Sequence, residues 1–330
     1  MRKYFGFALI ALFVFSCGPS EDTKYKQGVQ KQAQSMFQVI PEKMPGSEND
    51  TDVLVALGKK LYFDTILSDN KELSCNTCHR LDENKGGVDN LPTSPGTNGV
   101  PGTRNSPTVL NAGFQIAQFW DGRAKDLKEQ AKGPVLNPAE MNMPDSLTVV
   151  KRINSSAEYV ELFEKSFGKD QITYDNVAEA IAAFERTLIT RDRFDDFLKG
   201  DVNAMSKDEV AGLDLFMKKA CTTCHNGPLL GGNMFQKMGL VKPYTLSEDQ
   251  GRFEVTKNES DRMMFKVPTL RNVSITGPYF HDGKVADLKE SSKMMAEMQL
   301  AQTLTDEEAE KMVKFFDALT DKAREKKMQN

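Results

Sequence analysis

Beyond its first fifteen residues the chain has no apolar run long enough to cross a bilayer as a helix. It has no basic run interleaved with aromatics, and its formal net charge is −4, so nothing marks it as a nucleic-acid binder. No segment sustains the period-two alternation of a half-buried strand, which argues against a sheet-built fold. Acidic residues do not cluster into a cation site. Tryptophan occurs once, at Trp120, and histidine only three times.

Two of those histidines close Cys-x-x-Cys-His motifs: Cys75-Asn76-Thr77-Cys78-His79 and Cys221-Thr222-Thr223-Cys224-His225. This is the signature of covalent c-type haem attachment. The two thiols add to the haem vinyl groups and the adjacent histidine becomes an axial iron ligand. A redox dithiol needs no following histidine, and a four-cysteine zinc ribbon needs its cysteine pairs much closer in sequence. Two haems have four axial positions, and after His79 and His225 only His281 remains. At least one iron must therefore take Met, another group, water or nothing. An open iron position is where chemistry happens.

The start of the chain reads as an export signal. Arg2 and Lys3 precede the apolar run Phe5 to Phe15, and residues 1–17 end on Ser16-Cys17. Cys17 is the cysteine left over once four hold haem. It matches a lipoprotein site whose cysteine becomes the acylated N-terminus. Export suits c-type haem, which is attached outside the cytoplasm. The expectation is a periplasmic protein touching a membrane only through that lipid. Residues 18–40 are polar without an apolar period and read as a tether.

The remainder repeats itself. Gly58-x-x-Leu61-Tyr62-Phe63 precedes the first haem motif, and Gly212-x-x-Leu215-Phe216 precedes the second. Pro107-Thr108-Val109-Leu110-Asn111, Phe119-Trp120-Asp121-Gly122 and Asp126-Leu127-Lys128-Glu129 follow the first. Pro268-Thr269-Leu270-Arg271-Asn272, Phe280-His281-Asp282-Gly283 and Asp287-Leu288-Lys289-Glu290 follow the second, in the same order. Two related haem domains with a pseudo-twofold relation are expected, over residues 41–190 and 191–322, with a polar tail at 323–330. Both read as helical. Val53, Leu54, Leu57 and Leu61 share a helical face, as do Val177, Ile181, Phe184 and Leu188 behind a Thr173 N-cap. Ser206-x-x-Glu209 and Thr305-x-x-Glu308 are capping boxes. The Gly-, Pro- and Asn-rich stretch from Gly86 to Pro107 is a long loop of the kind that carries function.

These motifs resemble the bacterial dihaem cytochrome c peroxidases, from about Pro45 to about Leu319. The most specific are Gly87-Val88-Asp89-Asn90-Leu91, Arg104-Asn105-Ser106-Pro107-Thr108, Gln118-Phe119-Trp120-Asp121-Gly122-Arg123, Glu140-Met141-Asn142 and Pro278-Tyr279-Phe280-His281. The resemblance implies an all-α fold of two cytochrome-c-like domains, and reduction of hydrogen peroxide with electrons from a small cytochrome c or cupredoxin. It implies that His225 and Met295 ligate an electron-transfer haem, with Met294 and Met298 as competitors, and that His79 ligates the peroxidatic haem. Glu140 and Gln130 would be the distal acid/base and amide, and Trp120 would lie between the haems. A calcium ion would take the Asn105 side chain and the carbonyls of Thr276 and Pro278. The family's frequent dimerisation implies a homodimer.

In one respect the chain departs from this pattern. Many members carry a loop histidine that blocks the peroxidatic iron until the other haem is reduced. Here Thr93-Ser94-Pro95-Gly96-Thr97 places Thr97 at that position, and a threonine hydroxyl is a poor iron ligand. The expectation is an open or water-bound iron that needs no reductive activation. His281 is expected to hydrogen-bond a haem propionate or a backbone group; the alternative is that it or a Met fills the open position. Two other functions compete. A dihaem oxidase that modifies another protein would carry Tyr where Met295 stands. A dihaem electron carrier would have both irons fully ligated, which the shortage of histidine opposes.

Overall fold

The structure, a computed structural model, describes residues 19–82 and 84–328. The export segment and Cys17 lie outside the described residues. In chain order the helices are α1 (Glu21–Ala33), α2 (Asp52–Phe63), α3 (Cys75–Cys78), α4 (Leu127–Leu136), α5 (Ser146–Asn154), α6 (Ala157–Phe167) and α7 (Tyr174–Glu185). The second half adds α8 (Arg193–Leu198), α9 (Lys207–Lys218), α10 (Phe253–Thr256), α11 (Leu288–Leu300), α12 (Asp306–Asp317) and α13 (Lys322–Met328). The all-α expectation holds. Its one exception is an antiparallel pair of three-residue strands, β1 (Phe235–Lys237) and β2 (Met264–Lys266), too short to show an alternation in sequence.

Helix starts follow the local chemistry of the sequence. Thr173 accepts from Asn176 N, and the boxes at Ser206 and Thr305 close reciprocally with Glu209 and Glu308. Each half then forms its own core from a crossed helix pair. In the first half α2 packs on α7, burying Leu54, Leu57, Leu61, Val177 and Ile181. In the second α9 packs on α12, burying Val210, Leu213, Phe216, Met312 and Phe315. A glycine makes both crossings. A Cβ on Gly58 would lie 1.8 Å from the Ala180 carbonyl oxygen, and one on Gly212 would lie 2.0 Å from that of Lys311. The next neighbours are the Cβ atoms of Phe184 and Phe315, each four residues further on.

The repetition extends to the backbone. Asn111, Phe119 and Gly122 have positive φ, and so do Asn272, Phe280 and Gly283, at one constant offset. Bridges Gln118–Ala124 and Tyr279–Val285 recur at that same offset. Asp126 and Asp287 both cap the helix that follows, α4 in the first half and α11 in the second.

Two readings of the chain ends are corrected. Of the stretch 18–40, the described residues 19–40 are no tether: α1 is helical and joins the core of the second half through Val29, Ala33 and the following Phe37. Its polar residues are used for anchoring. Lys26 Nζ donates to the Met205 carbonyl at 2.9 Å and Gln30 Nε2 to the Phe197 carbonyl at 2.6 Å. Long polar side chains can bury their stems in this way, so the helix does not need a continuous apolar stripe. The described part of the tail, residues 323–328, is likewise helical, in α13. Arg324 Nε donates to the Lys85 carbonyl at 2.7 Å, and Glu325 pairs with Arg193 at 2.9 Å.

Candidate active site

Each haem motif sits on a short turn of helix that follows a core helix. Cys75, Cys78, Cys221 and Cys224 are half-buried and none is in a disulfide. Burial pushes the Cys78 and Cys221 thiols up to about 11, and that of Cys75 further. Both motif histidines are oriented by a backbone carbonyl. His79 Nδ1 lies 3.0 Å from the Pro107 oxygen and His225 Nδ1 lies 2.9 Å from that of Leu230. An Nδ1–H donated to a carbonyl leaves Nε2 as the free lone pair, which is the tautomer a metal ligand requires. Tyr62 fixes the first motif further, donating its hydroxyl to the His79 carbonyl at 2.6 Å. The donor set therefore fits haem at both motifs.

A cavity with mainly apolar walls joins the two halves. His225 and Met295 line it together, with Phe216 from α9 and Trp120 from the first half. Met294 and Met298 are not among its lining residues. Met298 is buried, and its carbonyl accepts from Val241 N and Lys242 N. Asn105, Thr276 and Pro278 all reach the same wall. Asn105 Nδ2 donates to the carbonyls of Leu91 and Pro92 at 2.9 and 3.2 Å. Trp120 Nε1 donates to the Asn105 carbonyl at 2.9 Å. The His281 ring stacks on Phe265 at 4.2 Å and meets the Trp120 edge at 6.5 Å. Its backbone carbonyl accepts from Asn105 N at 2.8 Å, while its buried Nε2 has no partner among the described residues.

The first half builds a second polar group around Glu140. Glu140 sits in the turn after α4, its N–H donating to the Asn137 carbonyl at 3.0 Å. Asn137 Nδ2 donates to Glu140 Oε1 at 2.7 Å. Burial pushes the Glu140 carboxyl above its ordinary value, against the pull of that hydrogen bond and of Arg123. The long loop brings Thr97 to the same place, where its N–H donates to the Glu140 carbonyl at 2.7 Å. Gln130 is half-buried on α4, one helix turn and a short turn upstream of Glu140.

Comparison with known proteins gives this arrangement a family. Residues 52–203 match the family model described as di-haem cytochrome c peroxidase. The chain is 48% identical over 269 residues to cytochrome c551 peroxidase of Nitrosomonas europaea, covering 81% of this chain and 80% of that one. It is 46% identical over 304 residues to the cytochrome c551 peroxidase of Pseudomonas aeruginosa, covering 88% and 86%. It is also 37% identical over 254 residues to the methylamine utilization protein MauG of Methylorubrum extorquens, covering 76% and 70%. A solved MauG-like protein associated with microbial copper homeostasis superposes with a TM-score of 0.75 at 26% identity, over 86% of this chain and 93% of that one. The chain belongs to the dihaem cytochrome c peroxidase family. It is an oxidoreductase with peroxide as acceptor and two haem c groups.

Two buried ionisable residues of this peroxidase were not legible in its sequence. Lys266, on β2, lines the central cavity with its ammonium against Gln115 Oε1 and forms no ion pair among the described residues. Burial lowers its pKa to about 8. Its backbone N–H holds the Trp120 carbonyl at 2.8 Å. The charge of Asp121 acts on the Lys266 ammonium without forming an ion pair, so this buried group can take a further anion, and a haem carboxylate is of that kind. Glu185, at the end of α7, is buried with Oε2 unpartnered, and desolvation raises its pKa to about 8. Both lie close to residues that the sequence pattern picks out, Lys266 before Pro268 and Glu185 after Phe184, but that pattern marks neither of them as buried.

Proposed function

We propose that the first half reduces hydrogen peroxide and the second half feeds it electrons from a small cytochrome c or a cupredoxin. The bound haem of the first half supplies the iron at which the O–O bond is reduced. One peroxide takes two electrons and two protons and leaves as two waters. The protein's task is to move a proton from the inner to the outer oxygen. Glu140 is suited to that work: it is half-buried, oriented by Asn137 and held by burial above the ordinary carboxyl pKa, which favours its taking up a proton and returning it. Gln130 would orient the peroxide. Trp120, in the wall of the shared cavity, would carry electrons between the halves. His225 and Met295 would ligate the donor-side iron, and a thioether there raises the potential relative to histidine.

The reading rests on one observation above the others. The loop that bears Thr97 in place of a histidine docks on Glu140, the Thr97 N–H donating to the Glu140 carbonyl at 2.7 Å, in the half that carries Cys75, Cys78 and His79. That arrangement supports an iron open to peroxide without prior reduction. Calcium held by Asn105, Thr276 and Pro278, periplasmic location and an acylated Cys17 belong to the same reading. The test is electron paramagnetic resonance of the fully oxidised dihaem protein together with peroxide turnover. A strong high-spin ferric signal beside one low-spin haem is expected, with turnover from the oxidised state. Glu140→Gln should lower kcat at least a hundredfold while both haems stay bound. Two low-spin haems, or near-normal turnover in Glu140→Gln, would overturn it.

A further inference from the structure

Thr97 is more than the absence of a histidine. The chain brings it against Glu140 by a contact that only glycine permits. A Cβ on Gly96 would lie 2.1 Å from the Ala139 carbonyl oxygen and 2.5 Å from its carbonyl carbon, so the loop can approach this closely only without a side chain there. The next residue, Thr97, donates its N–H to the Glu140 carbonyl at 2.7 Å. The far side of the same short loop is closed by Gly96 N donating to the Val100 carbonyl at 2.8 Å and by the Pro95–Pro101 bridge. The loop is thus docked on the segment that bears the acid/base group, and Thr97 is 2% exposed.

What that docking leaves over is a hydroxyl. Thr97 Oγ1 is buried and has no hydrogen-bond partner among the described residues. Threonine hydroxyls in such positions normally bond a nearby carbonyl, and a buried polar atom without a partner calls for a ligand or water. A site for hydrogen peroxide needs small groups that can both donate and accept, and a hydroxyl does both. Glu140 has Oε1 already held by Asn137, so a hydroxyl nearby would add a hydrogen bond to those that Glu140 and Gln130 can offer the peroxide.

We infer that Thr97 is a positioning residue for peroxide: its hydroxyl hydrogen-bonds the oxygen ligand that Glu140 serves, and water in its absence. This rests on the reading of the first half as the peroxide site. The residue that stands where relatives can carry a blocking ligand here helps to hold the substrate.

The test compares Thr97→Val, which keeps the shape and removes the hydroxyl, with Thr97→Ser, which keeps the hydroxyl, both as dihaem holoenzyme. Fluoride is the probe of choice for the oxidised protein, because as an iron-bound anion it depends on nearby hydrogen-bond donors. Thr97→Val should weaken fluoride binding and raise KM for peroxide, each about fivefold, as expected for one lost hydrogen bond. Its kcat should change less than KM, and Thr97→Ser should retain wild-type values in both. Thr97→Ala replaces the valine variant if valine lowers haem content. Unchanged fluoride affinity and KM on loss of the hydroxyl, or a serine variant as impaired as valine, would overturn the inference. A wild-type protein that binds fluoride but does not turn over peroxide would sink the peroxidase reading and with it peroxide as the ligand, whereas loss of fluoride affinity in Thr97→Val would still place the hydroxyl at the iron-bound ligand.

Discussion

Glu185 shows what a single side chain can carry unseen in the sequence. It follows Phe184 in a helix whose apolar spacing is plain, but nothing local says that its own carboxyl is inside. Desolvation raises its pKa to about 8, and Oε2 finds no partner. A carboxyl with a folded pKa above its unfolded value, about 4.3, binds more protons in the native state. Its relative stability is therefore full below about pH 4 and is lost as pH rises through about 8. Glu185→Gln should leave thermal stability unchanged at pH 4.5 and raise it by a few kcal/mol at pH 9. Melts of wild type and variant at those two pH values measure the difference, and equal gains at both would refute it. Met295 is the contrasting case, pointed to by the family resemblance and lining the cavity with His225. Met295→Leu should lower the potential of the donor-side haem, read by spectroelectrochemistry, and leave the other haem in place. Thr97→His should do the reverse of opening the site. A loop docked this tightly would present the imidazole to the iron, so the high-spin ferric signal should fall and turnover should come to require prior reduction.

At the scale of elements, the sequence spoke most clearly where the forces are local. The caps at Thr173, Ser206 and Thr305 and most of the apolar faces of α2 and α7 depend on residues a few positions apart and appear where the pattern puts them; Val53 instead is 42% exposed, and Leu188 lies beyond the end of α7 at Glu185. Helix α1 was missed for the opposite reason. Its burial depends on the floor that α8 and α9 supply, and Lys26 and Gln30 reach carbonyls far along the chain. The site divides in the same way. The haem cysteines and histidines are consecutive and could be read directly, whereas Lys266 depends on a two-stranded pair too short to announce itself. The paired glycines of the helix crossings lie between these cases: both were visible as repeats, but only the packing explains them. Gly212→Ala would drive a methyl to about 2.0 Å from the Lys311 carbonyl. Forcing α9 and α12 apart should cost about 3 kcal/mol, at the upper end of overpacking. Denaturant unfolding would measure that cost. An alanine on the exposed face of α9, at Lys207, serves as the control and should stay within about 0.5 kcal/mol of wild type.

On the proposed reading the two halves of the whole molecule must stay in register for electrons to cross, and the junction is fixed by more than apolar contact. Backbone bonds join Ile116 to Gly232, Asn105 to His281 and Lys266 to Trp120, each at 2.8 Å. Arg104 adds charge to that seam. From the first half it reaches Asp121 of its own half and Asp249 of the other, each at 2.5 Å, with all three side chains largely buried. Burial pushes the Asp249 carboxyl up, but the Arg104 hydrogen bonds outweigh it and hold the group below its ordinary range. A carboxyl whose folded pKa is depressed contributes stability above its unfolded pKa, about 3.9, and loses it as pH falls through the folded value. The seam should therefore weaken only in acid below about pH 4. Asp249→Asn removes the charge and keeps the shape, and should cost about 1–2 kcal/mol at pH 7. That is less than loss of a fully buried pair, because Arg104 retains Asp121. The variant should also lose the part of wild-type stability that disappears between pH 4 and pH 2. Acid unfolding followed by far-ultraviolet circular dichroism and by haem absorbance separates helix loss from haem-pocket opening. If the aspartate is a seam and not merely a surface charge, Asp249→Asn should shift both signals at pH 7 and converge on wild type near pH 2. A parallel offset at every pH would assign the loss to packing and remove Asp249 from the electrostatics of the junction.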